Sequence, residues 1–152
     1  MVTRENLVYS ASAAARILGI VQSHSPIMVK EWVSVIWVWV PGYRPRFLSK
    51  AAFKKHFVER RKAAARTLLV TQHIMDDTSF TVRNEAKDSI YTVQKFPSSL
   101  MCDCEDYRNQ VQFLGRGCCK HSYAVLNHLG FNSLSSYLNA AKSNPPANVL
   151  AA

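Results

Sequence analysis

The stretch MCDCEDYRNQVQFLGRGCCKHSYAVLNHLGF, residues 101–131, carries all four cysteines of the chain and two of its five histidines. Such crowding serves one of three chemistries: a disulfide framework, a thiol redox pair or a metal site. A disulfide framework needs an oxidising compartment. The first residues, MVTRENLVYSASAAARILGI, have Arg4, Glu5 and Arg16 scattered through them and no signal-peptide core, so the chain reads as cytoplasmic. A redox C-x-x-C pair is absent. A metal site remains. Structural zinc takes four ligands in a tetrahedron, drawn from cysteine sulfur and histidine nitrogen. Cys102 and Cys104 form a C-x-C pair, and Cys119 and His121 form a C-x-H pair. Each spacing lets one turn of backbone aim two donor atoms at one point. Four such ligands close the coordination shell and leave no position for a catalytic water. Asp103, Glu105 and Asp106 then read as solvated acids. With no carboxylate pair, Ser-His-Asp arrangement or phosphate loop in the sequence, no catalysis is expected.

The adjacent pair Cys118-Cys119 leaves two registers open, because Cys118 would give C-x-x-H with His121. The cysteine left over behaves as a small buried thiol. His128 lies seven residues after His121, on nearly the same face of a helix, and reads as packed or solvated since zinc's four positions are filled. His24, His56 and His73 are isolated and carry no assignment.

These ligands need elements to hold them. Ser79 to Arg83 and Ser89 to Phe96 read as two strands joined by NEAKD, a hairpin after which the cysteines begin. His121 to Leu129 reads as a helix stopped by Gly130. Between the pairs, Glu105 to Cys118 reads as a polar loop, with Gly115 and Gly117 at its sharp turns. A short β-like run, Leu68 to Ile74, precedes the hairpin. A last short helix capped by Asn132 or Ser133 runs to about Lys142. Upstream, Ser10 to Ile20 reads as a helix, and MVKEW as one or two further helical turns. Val33 to Val40 reads as a strand apolar on both faces and therefore covered on both sides, with Trp37 and Trp39 as core. After the Pro41-Gly42 turn, YRPRFLS returns as a strand whose Pro45 places it at an edge. Ser49 caps a helix to about Arg66, with Phe53, Phe57 and Ala64 on one stripe. The expected organisation is a basic region over residues 1–67, a zinc-bearing domain over 68–141 and a flexible tail over 142–152.

The formal charge is +9 over 152 residues. It is concentrated. Residues 42–70 hold Arg44, Arg46, Lys50, Lys54, Lys55, Arg60, Arg61, Lys62 and Arg66 against a single acid, Glu59, a net of +8. Charge gathered in one segment, with Tyr43 and Phe47 interleaved, points to a polyanion partner. Arg44, Arg46, Lys50, Lys54, Lys55, Arg61, Lys62 and Arg66 are the candidate phosphate contacts. No apolar run reaches the roughly 20 residues that cross a bilayer, so no membrane partner is expected.

The order hairpin, Cys102-x-Cys104, spacer, Cys119-x-His121, helix resembles the SWIM zinc finger over about Ser79 to Leu129. That resemblance implies a ββα arrangement, one structural zinc ion on Cys102, Cys104, Cys119 and His121, and a role in DNA or protein contacts. It also selects Cys119 over Cys118. In the first half, YSASAAARILGI and RPRFLSKAAFKKHF resemble the first helix and the wing of excisionase-type winged-helix domains, with the recognition helix expected at about Pro26 to Trp32. The whole reads as an α+β protein, winged-helix-like and then SWIM-like. It is expected to bind nucleic acid, double-stranded DNA foremost. The competing expectation is an adaptor that docks a recombinase or transposase through Val111, Phe113 and Leu114.

Overall fold

The computed structural model describes residues 1–20 and 26–143. The protein is mixed α and β, with two antiparallel sheets. It divides into two compact units, Met1–Arg61 and Lys62–Ala152. Among the described residues no helix is long and apolar enough to cross a membrane.

The first unit opens with two short helices, α1 (Arg4–Val8) and α2 (Ala11–Ile17). Thr3 and Asn6 form a reciprocal capping box on α1, and the Ser10 hydroxyl accepts the Ala13 N–H at the start of α2. Three strands follow, β1 (Met28–Glu31), β2 (Val35–Trp39) and β3 (Arg46–Ser49), in the order β1-β2-β3. Helix α3 (Lys50–Ala65) closes the unit and runs on into the second; the Ser49 hydroxyl caps it by accepting the Ala52 N–H at 3.1 Å. Ala13, Ala14, Ile36, Val38 and Phe53 form the core, with Val29 and Leu48 packed against it. Tyr9 meets the Phe53 ring edge-on at 5.5 Å.

Two expectations for this unit are corrected. The MVKEW segment is strand β1, not helix, so no recognition helix stands at Pro26 to Trp32. A five-residue helix gains too few hydrogen bonds to offset its nucleation. Pairing with β2 from Met28↔Trp39 to Glu31↔Ile36 satisfies the same backbone, and the Trp32 N–H closes the turn on the Val35 carbonyl at 2.9 Å. Strand β2 is also not covered on both sides. Ile36 and Val38 are buried, while Val35, Trp37 and Trp39 are half-exposed. The turn after β2 places Gly42 at φ 86°, where an L side chain is strained. Edge strand β3 begins directly after Pro45, consistent with the lost N–H.

The second unit carries β4 (Leu69–Gln72), β5 (Ser79–Asn84), β6 (Ser89–Phe96) and β7 (Ser99–Cys102), antiparallel in that order. The β5–β6 hairpin turns through a short 3-10 segment, Glu85–Lys87, and Asp88 at φ 46°. Asp tolerates that left-handed geometry. Helices α4 (Glu105–Leu114), α5 (Lys120–His128) and α6 (Leu134–Ser143) follow. Phe80, Val82, Val93 and Leu100 are buried with Ala124, Val125 and Leu126 of α5. The Tyr137 hydroxyl of α6 donates to the Phe96 carbonyl at 2.6 Å. Helix α6 is capped by Ser133, whose hydroxyl accepts the Ser136 N–H.

Helix α4 corrects the expected polar loop. Its N-cap is Cys104, an unusual capping residue, and its buried position is Gln110, so neither signal marks a helix in the sequence. Gly115, at φ 77°, ends it in the left-handed region. Strand β7 was also unforeseen: Ser99–Cys102 is too short to show a period. The expected tail began at Lys142, but Lys142 and Ser143 belong to α6; residues 144–152 lie outside those described, as does His24.

Phe53 is the largest fully buried side chain of the first unit. Phe53→Ala should destabilise that unit by about 3–5 kcal/mol. Urea unfolding followed by tryptophan fluorescence measures this, because all three tryptophans lie in or beside the β1–β2–β3 sheet. Metal content should be unchanged.

Candidate metal centre

Cys102 is the last residue of β7, and Cys104 is the N-cap of α4. Cys119 is the N-cap of α5, and His121 lies in that helix's first turn. Three elements therefore converge, and the four candidate ligand atoms lie within 4.8 Å of one another. Cys102 is 6%, Cys104 3%, Cys119 0% and His121 3% exposed, so the cluster is closed to solvent. The His121 Nδ1 lies 3.7 Å from the Cys102 sulfur and 3.8 Å from the Cys119 sulfur. Tetrahedral zinc with bonds of about 2.3 Å to sulfur and 2.0 Å to nitrogen separates such atoms by about 3.5 Å. The donor set and its spacing thus fit a single metal ion. None of the cysteines is disulfide-bonded.

The sulfurs are aimed by backbone. The Tyr107 N–H donates to the Cys104 sulfur and the Ser122 N–H to the Cys119 sulfur, each at 3.4 Å. Both are N-cap bonds, and the positive end of each helix favours a thiolate there. The Ser122 hydroxyl lies 3.3 Å from the Cys119 sulfur. The C-x-C turn is pinned to β6 at Thr92, whose N–H donates to the Asp103 carboxylate and whose carbonyl accepts the Asp103 N–H. Gln110 is buried, accepts the Cys118 N–H at 2.9 Å and donates to Asp106 at 3.0 Å. It holds the second ligand loop onto α4. The Tyr91 ring stacks on the His121 imidazole at 4.3 Å. The other ring nitrogen, Nε2, is buried and makes no hydrogen bond among the described residues. Leaving such a group unsatisfied costs about 1–3 kcal/mol.

Electrostatics favours a cation at the centre of the cluster. Contacts with the Cys104 and Cys119 thiols, together with burial, push the Cys102 thiol up. Its contact with Cys102 lowers Cys104, but contact with Cys119 and burial outweigh this and push it up to about 12. Cys119 is driven down by hydrogen bonds from Cys102 and Cys104, and further by His121 and Ser122, against burial. Burial thus opposes thiolate charge on all three sulfurs, and they resist ionising together. A divalent cation reverses this and favours deprotonation of all three.

Cys118 does not join the cluster. It is half-buried, and its neighbour Cys119 provides the converging sulfur. His128 is exposed at the far end of α5, with its ring 6.0 Å from Phe80. Sequence reasoning named Gly117 only as a turn residue and Asp103 only as a solvated acid, and missed the supporting residues Tyr91, Gln110 and Ser122. Gly117 alone had a legible signal, as a glycine beside the second pair. A Cβ there would lie 2.8 Å from the Tyr107 ring, so the chain can pass only without a side chain.

The basic candidates separate into two groups. Arg44, Arg46, Lys54, Lys55 and Arg66 are exposed and form no ion pair among the described residues. The other three are engaged. Lys50 pairs with Glu31 at 2.6 Å. Arg61 donates to the Phe57 carbonyl at 2.9 Å and lies 3.5 Å over the Phe57 ring. The Lys62 amine sits 5.9 Å from the Tyr123 ring. Arg16 on α2 was not among the candidates. It lies close enough to α3 to lower the pKa of His56, after burial and ahead of Arg60 and Arg61.

A mixed α and β protein with a buried Cys3His cluster is the class that fold and site define. Compared with family models, curated proteins and solved structures, the chain matches none.

Cys104→Ala and His121→Ala should each lose bound metal, measured by elemental analysis, whereas Cys118→Ala should retain it. Gly117→Ala should destabilise the second unit by about 1–3 kcal/mol through the clash with Tyr107. Chelation of the wild-type protein should expose the region after Ser79 to protease. Unchanged resistance would mean that no ion holds it.

Proposed function

We propose that this is a small zinc-binding protein that binds nucleic acid, duplex DNA foremost, through the basic residues of its first unit and of α3. Zinc on Cys102, Cys104, Cys119 and His121 acts as a structural clamp rather than a reaction centre, because all four donors are buried and together fill a tetrahedron. The clamp makes the second unit a SWIM-type finger and a rigid second platform for contact. The winged-helix likeness rests on α2, the β2–β3 hairpin in the place of the wing, and α3. Strand β1 occupies the place of a recognition helix, so base reading in the major groove is not part of the proposal.

One observation carries the nucleic-acid reading: Arg44, Arg46, Lys54, Lys55 and Arg66 are exposed without acidic partners. Each is available to replace a counterion on a phosphate. The lowered pKa of His56, caused by burial and then by Arg16, Arg60 and Arg61, reports a positive potential on the same helix. The competing reading is an adaptor. It draws support from Val111 and Leu114, which are 39% and 41% exposed and lie one helical turn apart on α4.

Duplex DNA affinity should fall linearly with salt on a log–log plot between about 50 and 200 mM. Lys54→Glu with Lys55→Glu should reduce that slope by about 2. If zinc-loaded protein shows no salt-dependent DNA binding, the adaptor reading stands in its place. His56 provides a second test. Its folded pKa lies below 6.5, so the unfolded state takes up the proton first, and acidification through that range removes stability from the first unit. A bound polyanion should raise the His56 pKa, measured by proton NMR.

A further inference from the structure

We propose that the solvent face of the β1–β2–β3 sheet is a stacking platform for the unpaired bases of a single nucleic-acid strand. The proposal deepens the nucleic-acid reading above and rests on it, but it concerns a different surface.

Cross-strand register sorts the sheet into two faces. Residues directly opposite one another in antiparallel strands share a face. The rows Val29–Val38–Arg46 and Glu31–Ile36–Leu48 turn inward, and Val29, Val38, Ile36 and Leu48 belong to or pack against the core. The alternate rows, Met28–Trp39, Lys30–Trp37–Phe47 and Val35–Ser49, turn outward. The outward face therefore carries two tryptophans and a phenylalanine on neighbouring strands. Trp32, in the turn after β1, adds a third indole, its ring 5.2 Å from that of Phe47. Met28 is 53%, Trp32 47% and Phe47 56% exposed, and Trp37 and Trp39 are half-exposed. Tyr43, in the β2–β3 turn, is 71% exposed.

Large aromatic side chains gathered on an open sheet face mark an interaction site. Charge decides what kind. Lys30 lies in the same outward row as Trp37 and Phe47, and Arg44 follows Tyr43 in the β2–β3 turn. The one acid of these strands, Glu31, is neutralised by Lys50 at 2.6 Å. Aromatic planes bordered by unpaired cations match a strand whose bases stack and whose phosphates need counterions. A duplex keeps its bases stacked on one another and cannot use such planes.

The test uses full-length zinc-loaded protein and three probes: oligo-dT and oligo-rU of about 15 nucleotides, and a duplex of equal length. Binding of either single strand should quench tryptophan fluorescence, and the two strands together show whether the sugar matters. Trp32→Ala with Phe47→Ala should weaken single-strand binding about ten-fold or more and leave duplex binding within about two-fold. Phe47→Tyr, which keeps the ring, should retain single-strand affinity. Single-strand binding without quenching, or unchanged in the double variant, overturns the proposal. Duplex binding with no measurable single-strand binding also overturns it and leaves the basic-surface reading intact. Loss of both readings would show as no binding of any probe. Self-association abolished by the double variant, without quenching by either strand, would assign the face to a second copy of the chain.

Discussion

Three thiols and an imidazole brought within 4.8 Å of one another, away from water, form an arrangement that the protein alone favours only with most of its protons in place. Each added thiolate raises the cost of the next, as the opposed shifts of Cys102 and Cys119 record. A cation at the centre turns that repulsion into attraction, and its binding energy becomes folding energy for whatever the four ligands join. Here they join a sheet edge and two helix starts. The starts of α4 and α5 meet the end of β7 at this one convergence.

Supporting contacts spread the constraint outward. Thr92 and Asp103 fix the C-x-C turn to the hairpin, and Gln110 ties the loop before Cys119 to α4. Gly117 lets that loop pass against Tyr107. The second unit is therefore held by the polar contacts around the Cys3His cluster at one end and by the Phe80, Val93 and Leu126 core at the other. A small core limits the stability that burial alone supplies, and a metal clamp on these four residues would add to it.

The first unit follows a different logic. Its core is a few side chains, Ala13, Ala14, Ile36, Val38 and Phe53, with Val29 and Leu48 packed against it, and the alternate rows of the sheet face outward. Two surfaces result, one basic along α3 and the β2–β3 turn, the other aromatic on the open sheet. Neither adds to stability by itself. The exposed aromatic rings and cations leave both surfaces open to the bases and phosphates of the proposed partner.

The cysteine and histidine spacings gathered the candidate ligands because such signals are local, but they left Cys118 and Cys119 open; the resemblance to SWIM fingers favoured Cys119, and the structure brings that residue to Cys102, Cys104 and His121. Ser49, and Ser133 as one of two candidates with Asn132, announced their helices for the same reason: a cap acts within four residues. Strand β1, helix α4 and strand β7 were not legible. MVKEW is helical or extended according to whether β2 lies beside it, and the spacer became a helix through a cysteine cap and a buried glutamine that carry no apolar period. Which face of β2 lacks a cover was equally hidden, since Trp37 and Ile36 are both apolar in sequence and only strand pairing decides which one meets the core. The sequence by itself determined the ligand types, the charge and the period of the longer elements. Tertiary structure alone decided what those elements pack against, because burial and cross-strand pairing are properties of residues far apart in the chain.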